Sequence, residues 1–450
     1  MIRGEPRRTS PSPDTPGTRQ GCRKSCRITY QACSADAHYR VRYNHDGSSD
    51  SSGGRFPDEA SLPIVIATIL RGDGITGVDT HIRQLRGYLA ENGTGSTLVT
   101  PFSWGRALAV PVFGLRRLVL ERCWGPANVV WYRHWHEVFL RNALRRCLAE
   151  VGDCVVYAQD PLAARAVLRV RRGPHQRVVM AVHFRISQAD EWADKKQIRR
   201  DGIVFRAIRQ VEREVIPHVD RLVYVSSWGR DALLSWLPEA AAVPSAVIGN
   251  FVAPLTVAPS PEPLGDLVTI GNLDLVKNHR FLLEVLAEAK RAGRSLTLDV
   301  FGEGPCRKAL LQQTRSLGLE EQVRFRGFRS DVRGLLSSYR AYVHASYSES
   351  LPLAIIEAMA AGLPIVAGNT GGISELCDDG VEARFWSLDN PAQAAALLND
   401  LLDCEPERLK AARAARERFR RDFDVDVVGP ELWSFLLGVT PREPGASAPS

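Results

Sequence analysis

From Leu62 onward the chain alternates short apolar runs with amphipathic segments, and it does so twice. The first series is "IVIATIL", "STLVT", "CVVYAQ", "RVVMAVH", "RLVYVSS" and "SAVIGNF", each ending in small or polar residues. Runs of this length suit strands buried on both faces, and the segments between them, such as residues 203–215, have helical periodicity. A proline-rich stretch then interrupts the pattern and reads as a linker. The alternation restarts with "LVTIGN", "LTLDVFG", "VRFRGF", "AYVHAS" and "LPIVAG". Strand and helix in turn, twice over, predict an α/β protein of two doubly wound, Rossmann-like domains facing a cleft. Ligands of such sheets sit beyond the carboxyl ends of the strands, so the loops after these runs are where chemistry is expected.

At 450 residues the chain exceeds one compact core, given about 150 residues per domain. The expected organisation is an extension over 1–60, a first domain over 61–252, a linker over 253–266 and a second domain over 267–420. A C-terminal helix over 421–438 returns to the first domain, and 439–450 form a disordered tail. Residues 1–60 are rich in Ser, Pro, Gly, Asp and Arg and cannot bury enough apolar surface to fold; they read as a disordered extension or as residues upstream of the true start. The formal charge of +7 favours anionic partners such as nucleotides, phosphorylated lipids, membrane headgroups or nucleic acid. No run approaches the roughly 18 apolar residues of a membrane-spanning helix, and the N-terminus lacks an apolar signal core, so the cytoplasm is the expected location. The nine cysteines show no paired CxxC spacing. Cys22, Cys26 and Cys33 have no fourth ligand at zinc-finger spacing, and free thiols in a reducing compartment are the better reading.

The first apolar run opens into "RGDGITGVDTHIRQL", which contains Gly72-x-Gly74-x-x-Gly77, the spacing of a dinucleotide-binding turn. That reading requires an acidic residue at the end of the second strand, about 20 residues on, to hold a ribose 2′-hydroxyl. "STLVT" runs instead into Pro101 and Phe102, so NAD is not expected. Two readings stay open: a tight strand-to-helix turn without ligand, or a turn that brings backbone N–H groups near phosphates.

The richest stretch is "SYSESLPLAIIEAMAAGLPIVAGNTGGISEL", residues 346–376. Ser350 is placed to cap a helix, with Pro352 just inside it. That helix, over 353–361, is apolar on every side except at Glu357, and a buried carboxylate needs a donor partner. The partner is either a buried arginine or a pair of ligand hydroxyls. Glu349 stands just ahead of the helix, eight residues before Glu357. One helix terminus thereby presents two carboxylates beside free N–H groups, which suits sugar and ribose hydroxyls together with a diphosphate.

This pattern resembles the Glu-x7-Glu motif of the retaining family-4, or group 1, glycosyltransferases, whose GT-B fold is two Rossmann-like domains around a cleft. "IGNLDLVKNH" looks like that family's diphosphate loop, with Lys277 as the phosphate-binding lysine. Where the family usually has an arginine just after the strand's glycine, this chain has Asn272. "VFGEGP", through Gly302, is similar to the glycine turn beside the nucleotide, and "VRFRGF", through Phe328, to the segment that meets the base. "TGGISEL" with Glu375 and "TGVDTHIRQL" with Gly77 and His81 fit the family's other glycine loops. His183, Ser226 and Asn250 also fall at positions that resemble the family pattern.

The resemblance implies transfer of a sugar from a nucleotide-diphosphate sugar to an acceptor hydroxyl, with retention and with neither metal nor cofactor. It implies catalytic roles for His183, Lys277 and Glu349. Donor binding would fall to Gly77, Asn272, Lys277, Gly302, Phe328, Glu349, Ser350, Leu351 and Glu357. Asp424-Val425-Asp426 has the letters of a metal-binding pair but stands in a helical region rather than after a strand, and it reads as a solvated charge pair. The expected setting is a hexosyltransferase of polysaccharide, exopolysaccharide or glycolipid biosynthesis, acting on a saccharide or lipid-linked acceptor. Residues 113–148 mix Arg with Trp, Leu and Phe; they read either as an amphipathic helix on the first domain or as a patch that docks on anionic lipid at the inner face of the membrane. No nucleic-acid module accompanies them, and nucleic acid is not an expected partner. A sugar-nucleotide epimerase of the same fold and a catalytically silent partner subunit are the alternative readings.

Overall fold

The computed structural model describes residues 62–72, 74, 76–103, 111, 112, 114, 125–255 and 264–438. The extension 1–60 with its three cysteines, the larger part of the linker, the tail 439–450 and the start of the arginine- and aromatic-rich stretch lie outside the described residues. Strands β1 (Ile64–Ala67), β2 (Ser96–Val99), β3 (Cys154–Ala158), β4 (Gln176–Val182), β5 (Arg221–Tyr224) and β6 (Ser245–Val247) form one sheet, in the order β2-β1-β3-β4-β5-β6. Strands β7 (Gly265–Ile270), β8 (Leu298–Phe301), β9 (Val323–Gly327), β10 (Tyr339–His344), β11 (Ile365–Gly368) and β12 (Ala383–Trp386) form a second, in the order β12-β11-β10-β7-β8-β9. Every pairing is parallel, for example Ala67 with Ala158 and Val268 with Tyr342.

Both faces of each sheet are covered, which is why the strands read as unbroken apolar runs. In β1, Val65 and Ala67 enter one core with Leu140, Leu144 and Leu162. Ile64 and Ile66 enter the opposite one, as the two-residue period of a strand requires. There they meet Ile82, Leu85 and Leu89 of the helix Gly77–Glu91. Val428, Leu432 and Leu436 of the last helix, Val425–Leu437, join the same core, so the C-terminus packs on the first sheet. The second sheet likewise divides its side chains, Tyr342 to one side and Ala341 with Val343 to the other.

β12, "ARFW", is not among the runs predicted from the sequence. It is an edge strand with its two central side chains only half-buried, so it carries no continuous apolar signal. No helix among the described residues is long and apolar enough to cross a membrane.

Candidate active site

Topology decides which loops meet. In the second sheet the chain runs from β7 outward through β8 and β9, then returns to β10 on the other side of β7. The loops after β7 and β10 therefore part in opposite directions and leave a crevice at the strands' carboxyl ends. The first of these loops carries Lys277 and the second Glu349, and the Lys277 ammonium forms an ion pair with the Glu349 carboxylate.

Each partner is held in place. Asp274 Oδ1 accepts the N–H groups of Val276 and Lys277, both at 3.1 Å, which sets the bend of the lysine loop. Glu349 accepts a bond from Ser346 Oγ at 2.7 Å and lies 3.3 Å from His344 Nε2. Burial acts to raise the carboxyl's pKa, but Lys277 and His344 outweigh it and hold Glu349 well below the usual carboxylate range. Glu349 is therefore charged at neutral pH.

Glycines allow the surrounding backbones to close in. A Cβ at Gly371, where φ is +62°, would stand 2.1 Å from the Glu349 carbonyl oxygen, and one at Gly372 would stand 1.8 Å from that of Ser350. A Cβ at Gly302 would lie 1.9 Å from the Gly271 carbonyl oxygen, so the turn after β8 presses on the start of the lysine loop. No other residue type fits these approaches.

The helix after Glu349 starts at Leu353, as the sequence predicts, but it is entered differently. Its span is Leu353–Ala360, and Pro352, with φ −71° and ψ 114°, is an extended cap rather than a residue inside the helix. A residue before proline is disfavoured in the helical region, so Leu351 cannot lead the helix and Ser350 cannot cap it. The Ser350 hydroxyl instead lies 3.3 Å from that of Ser226. No side chain caps the helix. Its first residue faces Gly77, where a Cβ would meet Leu353 Cδ1 at an ordinary 3.7 Å. Leu351 is buried, and its carbonyl accepts the Asn250 amide at 2.8 Å.

Glu357 has the arginine that was one of its two expected partners. Arg333 Nε stands 3.7 Å from its carboxylate, too far for a hydrogen bond. Burial raises the Glu357 pKa to about 7, with Arg333 and Arg83 pulling the other way. Phe328, just past β9, is 50% exposed, and Asn272 offers its carbonyl to the Asp274 N–H at 2.8 Å.

The first sheet supplies His183, directly after β4. Its Nε2 is 2.9 Å from Gln159 Oε1, while Gln159 Nε2 donates to the Tyr157 carbonyl at 3.4 Å. With the amide so oriented, His183 carries its proton on Nε2 and leaves Nδ1 as an acceptor. His81 meets His183 edge-on at 4.8 Å and lies 3.2 Å from the Tyr157 hydroxyl. Burial lowers the His81 pKa to about 4 and drives that of His183 far down as well, with His81 adding to the effect. Both imidazoles are neutral.

The glycine turn is organised by a residue the sequence reading passed over. Buried Asp79 accepts bonds from Gly72 N and Thr76 N, each at 3.1 Å, and from Thr76 Oγ at 2.6 Å. Thr76 Oγ in turn accepts the Asp79 N–H at 3.3 Å, which completes a capping box. A Cβ at Gly74 would sit 2.5 Å from Asp79 Oδ2, so this glycine is required by the carboxylate. The Thr76-x-x-Asp79 spacing was the available signal. His344, Ser346, Gln159 and Arg333 were missed too; of these, only His344, at the carboxyl end of a strand, had a signal in its position.

Glu375 reaches from the second sheet's loops to the first and accepts the N–H groups of Ser227 and Trp228 at 2.8 and 2.6 Å. Asp424 caps the last helix through the Asp426 N–H at 3.2 Å. Among the described residues no three His, Cys, Asp or Glu side chains group as a metal site.

Two parallel six-stranded sheets, with Lys277 brought against Glu349 at a switch point, define an α/β protein of the GT-B fold. The chain belongs to the group 1, family-4 glycosyltransferases: residues 75–254 match the model of Glycosyltransferase Family 4 and residues 257–418 that of Glycosyl transferases group 1. Glycogen synthase of Mycobacterium tuberculosis is 25% identical over 280 residues, 61% of this chain and 66% of that protein. The putative colanic acid biosynthesis glycosyltransferase WcaL of Escherichia coli is 27% identical over 196 residues, 41% of this chain and 47% of that one. The crystal structure of Anabaena HepE in complex with UDP and glucose matches with a TM-score of 0.62 at 18% identity, over 83% of this chain and 99% of HepE. The matched regions thus span about two thirds and about half of the two curated relatives.

Proposed function

We propose that this protein transfers a sugar from a nucleoside-diphosphate sugar to an acceptor hydroxyl with retention of the anomeric configuration, in the assembly of a polysaccharide, exopolysaccharide or glycolipid. Family membership and the UDP and glucose bound by HepE support the donor class, and the name of WcaL supports the pathway class. The observation that carries the reading is the Lys277–Glu349 ion pair at the switch point of the second sheet.

In this mechanism a donor diphosphate draws the Lys277 ammonium from Glu349, and the freed carboxylate, still held by Ser346, orients the sugar hydroxyls. Lys277 and the uncapped N-terminus of Leu353–Ala360 stabilise the departing diphosphate. Gly302, Asn272, Ser350 and Leu351 shape the phosphate and sugar pocket, Gly77 faces it, Phe328 meets the base and Glu357 accepts ribose hydroxyls. His183 Nδ1 accepts a hydroxyl of the donor sugar. The leaving phosphate oxygen takes the acceptor's proton on the face the sugar leaves, so neither a protein nucleophile nor a metal is required. Positioning and electrostatics do the chemistry.

Thermal-shift measurements with UDP-, GDP- and ADP-sugars identify the donor, since a ligand at 100 times its Kd stabilises by about 2.7 kcal/mol. Lys277→Ala is expected to cut transfer by roughly 10²–10³-fold, and NMR of the product reads the anomeric configuration. Transfer at the wild-type rate in that variant, or an inverted product, would overturn the mechanism.

An exposed apolar hollow on the first domain, formed by Val130, Trp131, Trp135 and Val204 beside the exposed Ile203, supports peripheral docking on an anionic membrane. Co-sedimentation with phosphatidylglycerol vesicles, lost on Ile203→Asp, tests this; binding unchanged by that substitution rejects it.

A further inference from the structure

We propose that the cavity between residues 185–196 and the loop 274–280 is an acceptor pocket for a saccharide that carries an anionic group, an inference that rests on the transferase reading. The cavity, about 500 Å³, has walls from both halves of the chain. Val276 and Asn278 line it on either side of Lys277, and Ser348 lines it next to Glu349. A sugar seated there adjoins the ion pair assigned to the leaving group and the donor sugar.

The chemistry of the walls fits a charged sugar. Tyr347 is 58% exposed and offers a ring face against which a pyranose stacks. Asn278 is buried behind the wall, and its Nδ2 has no hydrogen-bond partner among the described residues. Three cations line the walls: Arg185, paired with Asp194, Arg280, whose Nε is paired with Glu284 at 2.9 Å, and Lys196. The two acidic residues on the walls are already engaged. Asp194 pairs with Arg185 and Arg200, and Asp274 is taken up by backbone N–H groups. Lys196 has no ion-pair partner among the described residues.

The backbone adds an independent observation. Lys196 and Asn278 are the two non-glycine residues at positive φ among the described residues, 56° and 50°, and both line this cavity. Lys196 ends the helix Gln188–Asp194, its N–H bonding the Ala193 carbonyl at 2.8 Å and that of Gln197 the Trp192 carbonyl at 3.0 Å. Glycine is the residue such a turn favours. Lysine strains the turn and in exchange places a cation at the cavity wall.

Methyl glucuronide, glucose 1-phosphate and methyl glucoside, titrated calorimetrically into the free and the UDP-loaded protein, test the assignment. Both anionic probes are expected to bind at least tenfold more tightly than the glucoside, and the tighter of the two names carboxylate or phosphate as the acceptor's charge. Lys196→Gly and Arg280→Ala should each reduce that preference, and together abolish it. Lys196→Gly should also raise the melting temperature and leave UDP affinity unchanged, so misfolding cannot explain the loss. Equal binding of charged and neutral probes, or a preference that survives the double substitution, overturns the proposal. Absence of UDP binding in the unaltered protein counts against the donor reading instead, and the loss of glucuronide preference in the Lys196→Gly, Arg280→Ala double variant, with Lys277 intact, still decides the pocket.

Discussion

Glu349 and Glu357, eight residues apart in sequence, are pushed in opposite directions, and the distance to the nearest cation decides which way. Glu349 has an ammonium within hydrogen-bonding reach, and its pKa falls. Glu357 has a guanidinium nitrogen at 3.7 Å, burial wins, and its pKa rises to about 7. Folding therefore favours the protonated Glu357, a contribution fully present below its ordinary pKa of 4.5 and lost as pH rises through about 7. Glu357→Gln removes the cost of the charge. Its unfolding free energy, read by urea denaturation, should match the wild type near pH 4.5 and exceed it increasingly toward pH 8, by up to roughly 3 kcal/mol. The same variant should bind the donor nucleotide about tenfold more weakly, since an amide replaces one acceptor by a donor. A stability difference that stays flat with pH would sink this account. Lys277, Glu349 and Glu357 were legible in the sequence because charged residues beside apolar runs demand partners. Arg333 and Gln159 were not, because each acquires its partner only when distant segments are brought together, and Ser346, though only three residues from Glu349, is a loop serine that demands no partner.

Inner strands declared themselves through two buried faces and the edges β2, β6 and β9 through apolar residues that run past them, whereas β12 escaped because its four residues, with Arg384 among them, make no run. The cap of the helix Leu353–Ala360 was hidden differently. Serine three residues ahead of the helix looks like a cap, and only the restriction that Pro352 places on Leu351 takes that role from it. Glycine patterns were the most ambiguous, since the same letters mark a backbone approach or a spent turn. The structure separates them. Gly371→Ala places a Cβ 2.1 Å from the Glu349 carbonyl at a φ of +62° and should cost more than about 2 kcal/mol, with Glu349 displaced and transfer lost. Gly77→Ala meets only Leu353 Cδ1 at 3.7 Å and should leave stability within about 0.5 kcal/mol. Donor affinity in that variant decides between the two readings of the turn: a drop of tenfold or more places ligand phosphates there, and no change makes it a plain strand-to-helix turn. Urea denaturation and UDP titration of the two variants supply both answers.

The two sheets are joined at one place and latched at another. The join is compact: the Val252 N–H bonds the Phe423 carbonyl and the Val425 N–H bonds the Val252 carbonyl, both at 3.2 Å, so the chain's two crossings lie side by side. Paired crossings of this kind serve as a hinge, because few backbone angles need change for one sheet to swing against the other. The latch is Glu375, which accepts two N–H groups at the head of Ser227–Trp236, with the Asn250 amide on the Leu351 carbonyl beside it. A carboxylate at a helix N-terminus contributes about 1 kcal/mol. Here that contribution belongs to the closed arrangement alone, because in an open one both groups would be hydrated. Glu375→Ala should therefore shift the balance toward the open form by about fivefold, with kcat/KM falling by a similar factor and global stability little altered. Solution scattering reads the shift as a larger radius of gyration without nucleotide, partly restored by UDP, because a ligand that spans the cleft favours closure. Glu375→Gln, which keeps one acceptor oxygen without the charge, should fall between the two. Scattering curves and rates indistinguishable from the wild type would mean that closure rests on the sheets' apolar contacts and that Glu375 only caps a helix.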